Sequence, residues 1–161
     1  MDAIALLESQ HREVGKLFTK IENVKGSAEK QRLFDTIADK LAVHAAIEEH
    51  QFYPTVNAKR TEDILLESLE EHVGIKRVLA DLMRTGPSDD TFDAKLKVLK
   101  EQVEHHVQEE ESDLFPKVRK LLDKAQLEAL GQEMSAEQAE LEQGGKPRSE
   151  IPSQTGQAAE L

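Results

Sequence analysis

Apolar residues return every three to four positions along most of this chain, the rhythm of helices that bury one face. Five stretches carry it. The first runs from about Asp2 to Val24, with Leu7, His11, Val14, Phe18 and Ile21 on one stripe. Gly26 and Ser27 break it, and Ser27 is placed to cap the next helix. The second runs from about Ala28 to Phe52, with Leu33, Ile37, Leu41, His44 and Glu48 facing one way; Pro54 bends or stops it. The third starts near Thr61 and continues to about Arg84 on a stripe of Leu65, Leu69, His72, Ile75 and Leu79, before a Thr85-Gly86-Pro87-Ser88 turn. The fourth runs from about Asp90 to Phe115, with Phe92, Leu96, Leu99, Val103, His106 and Glu110 aligned and Pro116 at its end. A shorter fifth, about Leu122 to Glu142, carries Leu127, Leu130, Met134 and Leu141. Sustained alternation of β-branched residues is absent, as is any Asn-Gly or Asp-Gly hairpin.

The pattern repeats. At an offset of 61, His11 meets His72, Val14 meets Ile75, Phe18 meets Leu79 and Ile21 meets Leu82. At an offset of 62, His44 meets His106, Glu48 meets Glu110, Glu49 meets Glu111 and Pro54 meets Pro116. Two helix hairpins related by an approximate two-fold axis, with short loops between helices, predict an all-α, antiparallel up-down-up-down four-helix bundle over residues 1–122. A further helix is expected over 123–142. From Gln143 onward the composition turns to Gly, Pro, Ser and Gln, so residues 143–161 are expected to be a disordered tail.

Polar residues inside the apolar stripes change the picture. Each half contains H-x-x-x-E-E-x-x-[FL]-[FY]-P, as His44 to Pro54 and His106 to Pro116. Residues four apart differ by about 40° around a helix, so His44 and Glu48 point the same way, as do His106 and Glu110. Their stripe faces the bundle interior, where an ionised carboxylate is costly unless paired. Four His and two Glu without a basic partner in the stripe call for cations: carboxylates bridging two metals, neutral imidazoles completing each shell. A single H-x-x-x-E is a weak signal, usually a surface pair or a satisfied core histidine. Six candidates on four helices in the right order form a stronger one. Iron or manganese suits the carboxylate-rich arrangement, and spacing alone leaves zinc open. Ferritin-like sites use E-x-x-H pairs and are disfavoured.

Neighbouring residues read differently. His105 lies about 100° from His106 and is a flanking group; His50, about 120° from His44, faces solvent. Glu49 and Glu111 are one step off the candidate face, where they orient a histidine or are solvated. Tyr53 reaches the interior only if Pro54 distorts the last turn, and packing is its simpler role. Lys76 is expected to snorkel to solvent.

A formal charge of −11 over 161 residues argues against a nucleic-acid partner and against an anionic membrane surface. It also favours a monomer. Cys is absent, which removes disulfides, thiolate metal sites and a cysteine nucleophile. The N-terminal MDAIALLESQH has no signal-type apolar core and no stretch is long enough to span a membrane, so the cytoplasm is the expected location.

With a lone His on the first helix, then H-x-x-x-E ending in F-Y-P, then the same again, the chain resembles the hemerythrin-like, HHE cation-binding family over about Asp2 to Leu122. The resemblance implies a bundle holding two iron ions, oxo- or hydroxo-bridged and carboxylate-bridged. Carried over by position, the metal residues are His11, His44, Glu48, His72, His106 and Glu110. Oxygen-carrying hemerythrins have H-x-x-x-H on the third helix, where this chain has Lys76, and an Asp five residues after the last His, where it has Glu111. The match is therefore to the four-His, two-Glu bacterial and regulatory branch. That set leaves an exchangeable position on both irons, which suits ligands that bridge them. The expected function is binding or catalase-like decomposition of dioxygen, peroxide or nitric oxide in stress defence. The alternative is a non-enzymatic oxygen, iron or redox sensor or metal-binding module.

Overall fold

The computed structural model describes residues 1–161, and its regular structure is entirely helical. Helix α1 spans Ala3–Glu22, opened by Asp2, whose side chain accepts the Ala5 N–H at 2.8 Å. Helix α2 spans Ser27–Ile47 and passes directly into a π-helical segment, Glu48–Phe52, then the short α3, Tyr53–Val56. Helix α4 spans Glu62–Thr85 and ends at Gly86, whose φ of 74° a side chain would strain. Helix α5, Phe92–Glu109, likewise passes into a π-helical segment, Glu110–Leu114, and then α6, Phe115–Leu121. Helix α7, Lys124–Gln143, opens on a capping box between Asp123 and Gln126. The α1/α2 and α4/α5 hairpins form the antiparallel bundle, and α7 packs across α1 and α2. Gly131 permits that approach: a Cβ there would lie 2.8 Å from the Asp2 carbonyl carbon.

The two π segments share a cause. In a continued α-helix the Pro54 ring would collide with the His50 carbonyl, and Pro116 with that of Ser112. A widened turn relieves both, with Tyr53 N–H donating to Glu48 O and Phe115 N–H to Glu110 O. The prolines therefore neither stop the helices nor simply bend them.

The core has two parts. One cluster of 16 buried residues includes Ile4, Leu7, Phe52, Leu65, Leu114 and Met134; another of 15 includes Phe18, Phe34, Leu79, Phe92 and Leu99. The polar residues of the stripes lie between them.

The tail departs from expectation. Pro147–Gln154 forms a 3-10 helix against α2 and α4. Composition misleads because one apolar residue suffices as an anchor: Ile151 is 1% exposed and joins the second cluster. Arg148 adds a backbone N–H bond to Asp39 Oδ1 at 3.0 Å and an Nη1 bond to Oδ2 at 2.7 Å. Arg77 of α4 donates to the carbonyls of Thr155 and Gly156.

Candidate metal centre

The structure brings together all six residues singled out in the stripes. His11 comes from α1, His44 from α2, His72 from α4 and His106 from α5, while Glu48 and Glu110 open the two π segments. All six are buried, and both carboxylates are fully so. His11 Nε2 lies 3.1 Å from Glu110 Oε1, and His72 Nε2 lies 3.0 Å from Glu48 Oε1. The rings pair within each half: centroids are 4.9 Å apart for His11 and His44, and 4.7 Å for His72 and His106.

Each imidazole is oriented from behind. His11 Nδ1 lies 2.7 Å from Glu111 Oε2, His72 Nδ1 2.7 Å from Glu49 Oε2 and His106 Nδ1 2.8 Å from Glu71 Oε1. His44 Nδ1 lies 2.7 Å from Gln10 Oε1. Carboxylates only accept, and Gln10 meets His44 through its carbonyl oxygen, so each Nδ1 carries the proton and each neutral ring turns an Nε2 lone pair inward. The lone pairs of His72 and His106 then face one another at 3.2 Å, an arrangement that repels unless a cation or a proton lies between. His44 Nε2 and Glu48 Oε2 are buried with no hydrogen-bond partner; the 3.1 Å approach of His44 Nε2 to Glu48 Oε1 is out of line for one. Orphaned buried polar atoms of this kind call for an explanation. Imidazole nitrogens and carboxylate oxygens fit a pair of iron, manganese or zinc ions.

Without a cation, protons take over the balancing charge. Burial opposes the charged form of His106, yet the carboxylates of Glu110, Glu48 and Glu71 outweigh it and hold its pKa well above the usual histidine value. His11 and His72 are raised against burial in the same way, by Glu110 and by Glu48 with Glu49 respectively. Burial also opposes ionisation of Glu48, but His44 and His106 keep its pKa well below the ordinary carboxylate range. A metal would displace these protons.

Tyr53 has more than a packing role. Five residues after Glu48, it would point about 140° away on an α-helix. The π turn brings it back, so that its hydroxyl donates to Glu110 Oε2 at 2.7 Å, with Glu48 Oε1 3.2 Å from the same oxygen. Burial, then the nearby Glu110 and Glu48 charges, push its pKa well above the usual phenol value, so it stays a donor. Lys76 also departs from expectation. It is 6% exposed and does not snorkel, because Glu49 supplies a buried counter-charge with both oxygens 3.0 Å from Nζ. His105 flanks the site, 3.0 Å from Glu109 and 3.4 Å from Glu71. His50 is exposed and pairs with Glu137.

Periodicity alone did not point to Gln10 and Glu71 behind His44 and His106. The repeat held the signal: at an offset of 61, Gln10 and Glu71 are equivalent, each preceding the first histidine of its half and reaching across to the second.

An apolar cavity of about 30 Å³ opens onto all four histidines and is walled by Val14, Leu41, Ala45, Ile75, Val103 and Val107. That is space for about two water-sized molecules.

Fold and donor set together define a helical cation-binding bundle, and the relatives agree. The hemerythrin HHE cation-binding domain matches residues 2–118, and the chain belongs to that family. A crystal structure of a hemerythrin HHE cation-binding domain-containing protein from Mycobacterium kansasii superposes with a TM-score of 0.78 at 25% identity, over 96% of this chain and 94% of that one. It is described as a homologue of Rv2633c, an uncharacterized protein of Mycobacterium tuberculosis; this chain is 29% identical to Rv2633c over 138 residues, 84% of each. A protein of Nostoc sp. named as a DNA nickase is 30% identical over 86% of this chain, which spans only 39% of that protein.

Proposed function

We propose that this chain is a non-haem di-iron protein of the cytoplasm that binds or decomposes a small oxidant, dioxygen or peroxide, or binds nitric oxide, in stress defence. His11, His44, His72 and His106, together with the carboxylates of Glu48 and Glu110, would hold the two ions. The observation that carries this reading is the outward hydrogen bonding of all four Nδ1 atoms, which commits four buried Nε2 lone pairs to one space beside two buried carboxylates. Two bound irons would supply the electrons and Lewis acidity for ligand binding or peroxide decomposition.

The protein's own groups do the rest. Glu111, Gln10, Glu49 and Glu71 fix the four rings. The cavity has room for a molecule of a few atoms. Its aliphatic walls keep bulk water away from the donors. Tyr53 holds a proton against Glu110 Oε2, on a buried hydroxyl whose high pKa prevents its loss. Catalase-like turnover converts two peroxides to two waters and one dioxygen, which balances without an outside reductant.

One observation favours a sensor instead: Arg77, on the helix that carries His72, holds two carbonyls of the C-terminal segment. A change at α4 would be felt there. Nickase activity is not carried over from the Nostoc relative, because a net charge of −11 offers a phosphate backbone no attraction.

The test is metal content and absorption spectrum of protein from iron-supplied cells, with oxygen evolution followed after peroxide. Two irons per chain with turnover support the enzyme. Two irons whose spectrum answers to dioxygen or nitric oxide without turnover support the sensor. Zinc alone, or no metal after iron loading, overturns the di-iron reading.

A further inference from the structure

The two halves of the bundle repeat each other closely around the six donors, so the place where they differ is informative. Glu111 and Glu49 are equivalent by the repeat, and each accepts from the Nδ1 of a histidine in the other half. Four residues after those histidines the equivalence fails. The second half has Lys76, which is buried and clamps Glu49; the first has Gly15, which has no side chain to cover Glu111. The Glu49 side chain is accordingly 8% exposed and that of Glu111 is 40% exposed.

The gap at Gly15 is a real opening. A surface cleft of about 400 Å³ runs between α1 and α5, lined in part by Gly15, Phe18, Glu104 and Glu111. It shares His11, Val103 and Val107 with the small apolar cavity over the four histidines, so those three side chains are the wall between outside and inside. On the Lys76 side the 3-10 segment packs on helices α2 and α4.

We propose that small molecules reach the buried centre between α1 and α5, through the gap left at Gly15, past the wall that includes Val107. This rests on the di-iron reading above. Two carboxylates, Glu104 and Glu111, sit at the mouth. They disfavour anions and leave neutral molecules such as hydrogen peroxide, dioxygen and nitric oxide unimpeded.

The test is to plug the gap. A Cβ at Gly15 meets nothing within 4 Å, and a leucine raises helix propensity, so Gly15→Leu should fold. Iron content is measured first, then nitric oxide association and dissociation by stopped flow. An obstruction on the route slows both directions alike, so Gly15→Leu should lower both rates about tenfold and leave Kd and iron content unchanged. Val107→Ala should raise both. Gly74→Leu, at another helical glycine with open surroundings that lines neither cavity, should change neither. Azide, an anion, should enter faster as salt screens the mouth, while nitric oxide should not respond. Wild-type rates in Gly15→Leu with full iron would overturn the entrance alone. Wild-type protein that holds no iron would overturn the entrance and the di-iron reading together.

Discussion

Replacing Ile151 by alanine asks whether the C-terminal 3-10 segment belongs to the fold. Ile151 is 1% exposed although its neighbours Glu150 and Pro152 are exposed. The substitution removes three carbons from the second core cluster. At about 0.8 kcal/mol per buried methylene the transfer loss is about 2.4 kcal/mol, and a residual cavity brings the range to about 2–5 kcal/mol. A ceiling applies, because a segment held by Ile151, Arg148 and Arg77 can detach before the bundle unfolds. Once it detaches, further weakening of its anchor has no effect on the rest. We therefore expect the low end, about 2 kcal/mol. In urea, followed by circular dichroism, that is a midpoint about 1 M lower at a typical slope. Ser153→Ala, at an exposed position of the same segment, serves as the control. A loss below about 0.5 kcal/mol for Ile151→Ala, as at ordinary surface sites, would refute the packed tail.

Three further outcomes concern the site. Lys76→Met leaves Glu49 buried without its cation and should cost about 3 kcal/mol; adding Glu49→Gln should recover part of it, and a single-mutant loss under about 0.5 kcal/mol would restore the snorkelling lysine. Tyr53→Phe keeps the shape but takes a donor from a fully buried carboxylate, so metal-free protein should lose about 1.5–3 kcal/mol, read by thermal denaturation; an unchanged Tm would mean the hydroxyl bond contributes nothing. Metal-free protein should be most stable between pH 4.5 and 6.5, the ordinary values from which its buried groups depart. His11, His72 and His106 have raised folded pKa values, so their contribution is complete below 6.5 and fades as pH rises through those values. Glu48, Glu49 and Glu71 have lowered ones, so theirs is complete above 4.5 and fades as pH falls through them. Metal requires neutral imidazoles, so loaded protein should gain most over the metal-free form at higher pH; a parallel pair of Tm profiles would contradict this.

The helices and the six inward residues were legible because periodicity and spacing are local properties. His44 and Glu48 announce a shared face without reference to the rest of the chain. What was not legible depends on a neighbouring helix or on a break in periodicity. Lys76 reads as a solvent-seeking lysine until Glu49 arrives from another helix to keep it inside. Tyr53 falls off the face on a 3.6-residue rhythm and returns only because Pro54 forces a wider turn. Ile151 stands alone among polar residues, so no pattern marks it, yet a groove between α2 and α4 accepts it.

The position of the polar layer between two apolar clusters also limits how the helices can be aligned. An all-aliphatic bundle has several near-equivalent alignments, since one leucine layer resembles the next. Here, sliding one helix by a single turn, about 5.4 Å, would drive a carboxylate or imidazole into aliphatic surroundings and leave its former partners unmatched. The desolvation of even one such ion amounts to several kcal/mol, a large part of the margin by which a domain this size is folded. The polar layer thus acts as an alignment key, as a lone buried Asn does in a coiled coil. The same six buried side chains exclude the neighbouring registers of the bundle that presents them.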